Sequence, residues 1–430
     1  MAGAPLFACP HCATLHERVP LDHGAAASCV RCDSVLYRQS AISLNGWIAL
    51  VSGALIVFAI ANYFPIATLT IQGLSVQASL PGALFLTWQQ GHKMLSIMTG
   101  LFGFWLPLTQ LLFMFWALLA IRSRRLPADF RYGMRVLHYA LPWSMVPVLM
   151  LGILVAIVKF SSLATIHPGP AIWAFGLLTF LLTGLSRLTT SRLWCYAEDA
   201  GLVETATAEE ANGGLTASCP CCGLVQSLGD EETPESCRRC GARVYFRKPN
   251  QTARVWALVT AACIIYIPAN VLPVMRVRTA ASDGMHTILG GVIELWQLGS
   301  WDLAVIVFIA SVVVPITKLL ALMVLMIKRG WRGNAVQRQR TRLYELVEFI
   351  GQWSMLDVFV VILLSAMANF PGISQVIAGP GAVSFGMVVI LTMLAAMSYD
   401  PRSGWDRRSA GGTVRTGRSA PRSFETGDVA

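Results

Sequence analysis

Four cysteine pairs in this chain share one spacing. CPHC at residues 9–12 and CVRC at 29–32 lie near the N-terminus, and CPCC at 219–222 and CRRC at 237–240 lie at mid-chain. A CxxC turn presents two thiolates to one ion, and two such turns about 15 residues apart complete a tetrahedral sulfur site. Cys9, Cys12, Cys29 and Cys32 are therefore expected to hold one ion, and Cys219, Cys222, Cys237 and Cys240 a second. The expected ion is structural zinc. Rubredoxin-like iron is the alternative, because a tetrahedral S₄ set suits both metals. Four protein ligands leave no open position, so neither site is expected to be catalytic. Cys195, Cys221 and Cys263 fall outside the pattern and read as small apolar filler.

A second chemistry is written into the stretch VVVPITKLLALMVLMI, residues 312–327, which is apolar except for Thr317 and Lys318. An ammonium in a run this apolar costs free energy unless something pairs with it. Lys318 lies ten residues before Lys328, where a basic stretch begins, so at 1.5 Å per residue it is about 15 Å from that end. Asp357 lies at a similar distance into the next apolar run and is the expected partner. Ser354 shares the expected face of Asp357, and Ser311 shares that of Lys318. Thr392 is at comparable depth in the last run. Ser311, Lys318, Ser354, Asp357 and Thr392 are expected to form one polar chain.

These residues need apolar elements to position them. The chain has 430 residues, 55% of them hydrophobic and 13% charged, where a soluble domain would carry roughly a quarter charged. Eight stretches are long enough to cross a bilayer as helices: about 44–64, 93–120, 137–160, 170–188, 254–274, 301–327, 348–370 and 379–398. Runs this long and continuous exclude the alternating pattern of a membrane barrel. The first 40 residues carry cysteines and charges rather than a short apolar core, so no signal peptide is expected. Net charge is +10, and its distribution points to topology rather than to nucleic acid, which is not an expected partner. IRSRRLPADFRYGMR has five arginines and KRGWRGNAVQRQRTR six basic residues, whereas 65–92, 161–169 and 371–378 contain no Lys or Arg and 275–300 only Arg276 and Arg278. Basic loops stay in the cytoplasm, which places both termini there. The cysteine heads then face a reducing compartment, and disulfides are the weaker reading.

The chain also repeats itself. With a shift of 208, NYFP at 62–65 falls on NVLP at 270–273, WQQG at 88–91 on WQLG at 296–299, and LPLTQLL at 106–112 on VPITKLL at 314–320. With a shift of 210, WSMVPV at 143–148 falls on WSMLDV at 353–358. Such a period implies a tandem duplication. The expected order is a head (1–40), a four-helix bundle (41–199), a linker (200–215), a second head (216–250), a second four-helix bundle (251–402) and a disordered basic tail (403–430). Gln110 stands where the second copy has Lys318, and Pro147 where it has Asp357. A charge pair needed only for folding should occur in both copies, so its restriction to one argues for a task.

Paired CxxC heads, each followed by four helices with NxxP, WxxG and WSMxxV, resemble the paraquat-inducible protein A family. The resemblance covers about residues 5–405, and WSMLDVFVV at 353–361 with SYDPRSGWD at 398–406 is its most specific part. It implies zinc-ribbon heads, tetraspanin-like four-helix bundles and an all-helical, multi-pass protein of the Gram-negative inner membrane. It also implies a periplasmic MCE-domain partner that forms a tunnel, with phospholipid trafficking as the role. The five polar residues match positions where that family carries a membrane polar network. No nucleotide-binding, esterase or metalloprotease motif is present, and no enzymatic activity is expected. A membrane redox protein with iron heads, and a passive anchor for a partner, are the alternative functions.

Overall fold

The computed structural model describes residues 6–405, apart from 20, 22–24, 39–41, 72–73, 92, 161–164, 206–214, 231–232, 280–282, 298, 300, 328–333, 354–358, 361 and 364–373. Ser354, Asp357 and the tail from 406 onward lie outside the described residues.

Each head is two short antiparallel hairpins, and each hairpin turns through a CxxC. In the first, β1 (Leu6–Ala8) pairs β2 (Leu15–Glu17), and β3 (Ala26–Ser28) pairs β4 (Val35–Arg38). In the second, β8 (Leu215–Ser218) pairs β9 (Val225–Leu228), and β10 (Glu235–Ser236) pairs β11 (Arg243–Val244). None of the hairpins has enough apolar surface to stand alone.

After the first head come α1 (Leu44–Tyr63), α2 (Leu80–Gln89) and α3 (Lys93–Gly100), then α4 (Leu106–Arg122), α5 (Phe130–Ala140), α6 (Val146–Phe160), α7 (Pro170–Leu185) and α8 (Thr190–Asp199). After the second head come α9 (Gln251–Val271), α10 (Ile288–Gln297) and α11 (Trp301–Phe308), then α12 (Val314–Ile327), α13 (Asn334–Trp353) and α14 (Pro380–Ser398). Among the described residues, six helical stretches are long and apolar enough to cross a membrane: 44–63, 93–122, 130–157, 251–271, 304–327 and 380–398. A seventh is reached if α7 and α8, bent by 57°, form one broken span. Most of the expected span 348–370 lies outside the described residues.

Two spans carry a widened turn that periodicity did not predict. Residues Leu101–Trp105 and Ile309–Val313 are π-helical, and each is followed at once by a Leu-Pro or Val-Pro pair, at Pro107 and Pro315. A proline inside an α-helix removes one backbone bond and drives its ring against the carbonyl four residues back. Widening the turn before it removes that clash, so the helix continues rather than breaks.

The segments expected as plain loops contain sheet. β5 (Ala67–Ile71) is the centre of an antiparallel trio with β6 (Leu74–Ala78) and β7 (Thr165–Pro168). β12 (Met275–Thr279) is likewise central between β13 (Asp283–His286) and β14 (Ser374–Ala378). In each trio the third strand comes from about a hundred residues away, which pins the last helix of a bundle to the first. α1 packs on α7, and α9 on α14. Asn62 Nδ2 and Asn270 Nδ2 donate to Phe58 O and Tyr266 O at 2.8 and 2.9 Å, closing the last turns of α1 and α9.

The trio leads into the next helix through a glycine–proline corner. Gly169 N–H donates to Ile66 O at 2.8 Å, and Gly379 N–H to Val274 O at 2.7 Å. A Cβ at either glycine would lie 2.1 Å from a backbone carbonyl oxygen, that of Pro65 or of Pro273. A backbone atom cannot swing away as a side chain can. Gly169→Ala or Gly379→Ala is therefore expected to cost about 3 kcal/mol, read as a lowered thermal midpoint of the purified protein. Gly53→Ala, whose Cβ would meet nothing within 4 Å, is the control expected to leave it unchanged.

Candidate functional site

Every CxxC turn closes the same way. The backbone N–H of the residue after the second cysteine (Ala13, Asp33, Gly223 or Gly241) donates to the carbonyl of the first at 2.8–2.9 Å. That residue is left-handed in all four, with φ between 58° and 76°. The first cysteine's own N–H donates to the carbonyl of the second residue after the turn's second cysteine (Thr14, Ser34, Leu224 or Ala242), at 2.8–2.9 Å. Both thiolates of the turn are thereby aimed to one side.

The two turns of each head face one another. Cys9 Sγ lies 3.5 Å from Cys32 Sγ, and Cys12 Sγ 3.4 Å from Cys29 Sγ. In the second head Cys219 and Cys240 are 3.4 Å apart, and Cys222 and Cys237 3.5 Å. Within each set all four sulfurs lie within 4.8 Å of one another, and all eight cysteines are buried and unbridged. A tetrahedron with metal–sulfur bonds of about 2.3 Å has sulfur edges of about 3.8 Å, so each set fits one ion with modest closing-out. The eight cysteines read from sequence fall into the two predicted quartets. When bound, an ion would supply the charge that lets four buried thiolates share one site, and four ligands leave no vertex for a substrate.

The membrane polar residues take several environments. Lys318 is 1% exposed, deep in α12, on the face formed by Pro315, Leu319, Leu322, Leu325 and Met326. Leu319, Leu322 and Leu325 pack with Val255 and Val259 of α9 and with Ala395 and Ala396 of α14. The ammonium therefore points into the bundle and not to lipid, and among the described residues its Nζ has no hydrogen-bond partner. Ser311 is fully buried in the π-turn one stretch earlier, and its hydroxyl donates to Val307 O at 2.6 Å. Thr392 is buried on α14 and donates to Val389 O at 2.9 Å. Each hydroxyl thus spends its hydrogen on its own helix and keeps oxygen lone pairs free to accept. Among the described residues no hydrogen bond joins Ser311, Lys318 and Thr392 to one another. Gln110, at Lys318's position in the first half, is also buried, and among the described residues its Oε1 has no hydrogen-bond partner.

A second polar cluster was not singled out from sequence. Where α14 ends, the Asp400 carboxylate, 1% exposed, accepts from Lys248 N–H at 3.2 Å and from Arg402 N–H, Nε and a terminal guanidinium nitrogen at 3.1, 2.9 and 3.0 Å. Lys248 Nζ donates to Met397 O and Tyr399 O, satisfying the last carbonyls of α14. Gln251 Oε1 accepts from Asp400 N–H, and Arg340 donates to Tyr399 Oη and Leu325 O. These residues come from the end of the second head, α9, α12, α13 and the chain beyond α14, so the cluster ties one end of the second bundle together. In the sequence, DPR within SYDPRSGWD was its only signal.

Burial pushes the Asp400 carboxyl up, but the hydrogen bonds and charge of Arg402, with the Lys248 amide and charge, outweigh it and hold the group below the usual carboxylate range. A depressed folded-state value means the carboxylate stabilises the fold above its ordinary titration and loses that contribution as pH falls through the folded value. Asp400→Asn is expected to cost about 3 kcal/mol near neutrality, because it leaves the Arg402 charge uncompensated. In thermal melts at decreasing pH, the gap between wild type and Asp400→Asn should close on the acid side. For the heads, elemental analysis of the purified chain should find two metal ions, falling to one in Cys29→Ser/Cys32→Ser and to one in Cys237→Ser/Cys240→Ser.

The family model described as Paraquat-inducible protein A matches residues 44–198 and 252–409. The two matched segments start at α1 and just inside α9. Over 410 residues the chain is 31% identical to a protein named "Intermembrane transport protein PqiA" of Escherichia coli K12, covering 93% of this chain and 95% of the relative. It is 28% identical over 409 residues to the "Lipophilic envelope-spanning tunnel protein A" of the same strain, with 94% and 92% covered. It is 27% identical over 408 residues to a "Probable intermembrane transport protein" of Haemophilus influenzae, with 93% and 95% covered. No solved structure matches the chain.

Proposed function

Because the chain belongs to the paraquat-inducible protein A family, we propose that it is the membrane subunit of an intermembrane phospholipid transport system. On this reading it lies in the inner membrane with both heads in the cytoplasm. It passes phospholipid between that membrane and a tunnel built by a periplasmic MCE-domain protein. The relatives' names speak of intermembrane transport and of an envelope-spanning tunnel, which supports this reading over an iron redox carrier or a passive anchor.

The observation that carries the mechanism is the Lys318 ammonium, buried inside a membrane-crossing helix and unpartnered among the described residues. Such a group is strongly unfavourable in hydrocarbon and is kept where charge movement is used. Asp357 is the proposed counter-charge. α13 ends at Trp353, one residue before Ser354 and four before Asp357, on a helix that packs against α12. Ser311, Ser354 and Thr392 then supply the oxygen atoms between them. The π-turn at 309–313 contains Ser311 and begins a stretch that holds Lys318 nine residues on. Losing that bulge would turn Lys318 by about 100° relative to α11, making or breaking the pair as the second half changes shape. A proton taken up or released by the pair would couple that change to an ion gradient.

The proposed heads are zinc ribbons, and the two halves are read as a tandem duplication. Supporting this are the matching sheet trios, π-turns, glycine–proline corners and cysteine quartets at a shift of 208 to 210 residues.

Complementation of a strain lacking the protein, scored by envelope integrity with protein levels matched, tests the mechanism. Lys318→Ala and Asp357→Asn should each fail to restore the envelope, whereas Gln110→Ala should restore it to within about twofold of wild type. Full rescue by both second-half variants removes the charge pair from transport. Mass spectrometry of lipid retained with the co-purified periplasmic partner tests the substrate class, and phospholipid is the expected species.

A further inference from the structure

Although each head precedes its own bundle in the chain, its metal-binding turns touch the other half. Every turn makes such a contact from one position, the residue just before the second cysteine of its CxxC. In the first head these residues are His11 and Arg31. His11 Nε2 lies 3.6 Å from Glu345 Oε1 of α13. Arg31 O accepts from Arg338 Nε of α13 at 3.3 Å, and the Arg31 guanidinium donates to Trp405 O at 2.7 Å while lying 5.2 Å over the Trp405 ring. That ring, 4% exposed, shares one apolar cluster with Cys9, Cys12, Cys29 and Cys32, and its Nε1 donates to Thr341 of α13 at 3.4 Å.

In the second head the same position holds Cys221 and Arg239. Cys221 Sγ contacts Met134 O of α5 at 3.7 Å, and Gly241 O, at the end of the other turn, accepts from Arg135 of α5 at 3.5 Å. Arg239 pairs with Glu198 of α8 at 2.5 Å and lies 5.8 Å over Trp194. The second quartet packs into the same apolar cluster as Phe130, Met134 and Leu137 of α5. Arg18, on the strand side of the first head, also reaches Glu198 and Asp199, so α8 is gripped from both heads. The CxxC turns themselves are crossed.

We propose that the heads are crossed brackets: each closes around an ion, and the residue before the second cysteine of each turn then fixes a helix of the opposite half. Occupancy of the first quartet holds α13 and the chain around Trp405. Occupancy of the second holds α5 and α8. The arrangement rests on the metal reading of the quartets, because without an ion nothing keeps four buried thiolates together or their turns in shape. It assigns a role to Cys221 and Trp405, which the metal set alone leaves unexplained. It also links the first quartet to the proposed charge pair, since α13 runs directly into Ser354.

The test is hydrogen exchange on the full-length protein in lipid nanodiscs, with metal content measured on the same samples. Emptying the first quartet with Cys29→Ser/Cys32→Ser should speed exchange in 334–353 by about tenfold or more and leave 130–140 unchanged. Emptying the second with Cys237→Ser/Cys240→Ser should do the reverse. Trp405→Ala and Arg31→Ala, which leave every ligand in place, should retain two ions and still loosen 334–353. Faster exchange confined to the emptied head, or to the bundle that follows it in sequence, would overturn the brackets while leaving the metal sites intact. A wild-type protein without metal would overturn both.

Discussion

Hydrocarbon offers a polar group no partner, and the placement of one ammonium under that constraint organises the second half of this chain. Lys318 is enclosed by α9, α12 and α14 rather than turned to lipid. Long lysines near a membrane surface escape by extending to water, but one at this depth has no such route. Its position is tolerable only if a counter-charge or a change of protonation answers it within the bundle. The first half, with Gln110 in the same place, carries a neutral version of the problem. The two halves therefore share a frame and differ in the electrostatic load placed on it.

The frame has to carry that load without unravelling, and its devices sit at the ends and bends of helices. Prolines that would break a span are accommodated by π-turns. The sheet trios close each bundle at one end, through corners that only glycine fits. At the other end the Asp400 cluster joins the second head, α9, α12, α13 and the chain beyond α14 through charge-assisted bonds. Charges there lie beyond the apolar stretch of α14, where they can be strongly bonded without the penalty that Lys318 faces.

What sequence could show divides along physical lines. The cysteine quartets and six of the apolar spans were legible because their signals are local: a CxxC turn places its own two ligands, and a span is long and apolar in itself. The strands of the trios were not, because β5 and β12 acquire a third partner from a distant segment and read as ordinary loops on their own. The π-turns were hidden because LPLTQLL and VPITKLL keep an apolar pattern through them, and only the proline hints at the change. Arg340 reads as a topology charge, and nothing in the sequence sets Lys248 apart. Their use in the Asp400 cluster exists only once five segments meet. The docking of His11, Arg31, Cys221 and Arg239 across halves depends on tertiary arrangement and left no trace in the pattern of either half.

On the proposed mechanism Lys318 and Asp357 act as a single charged unit inside the membrane. A double-mutant cycle on thermal stability in nanodiscs tests it most directly, using Lys318→Met, Asp357→Leu and the two together. Removing one partner of a buried pair strands the other charge, whereas removing both strands nothing. The double variant is expected to be more stable than either single variant, by about 2 kcal/mol or more. Simple addition of the two single losses would show that the charges do not meet, and would contradict it.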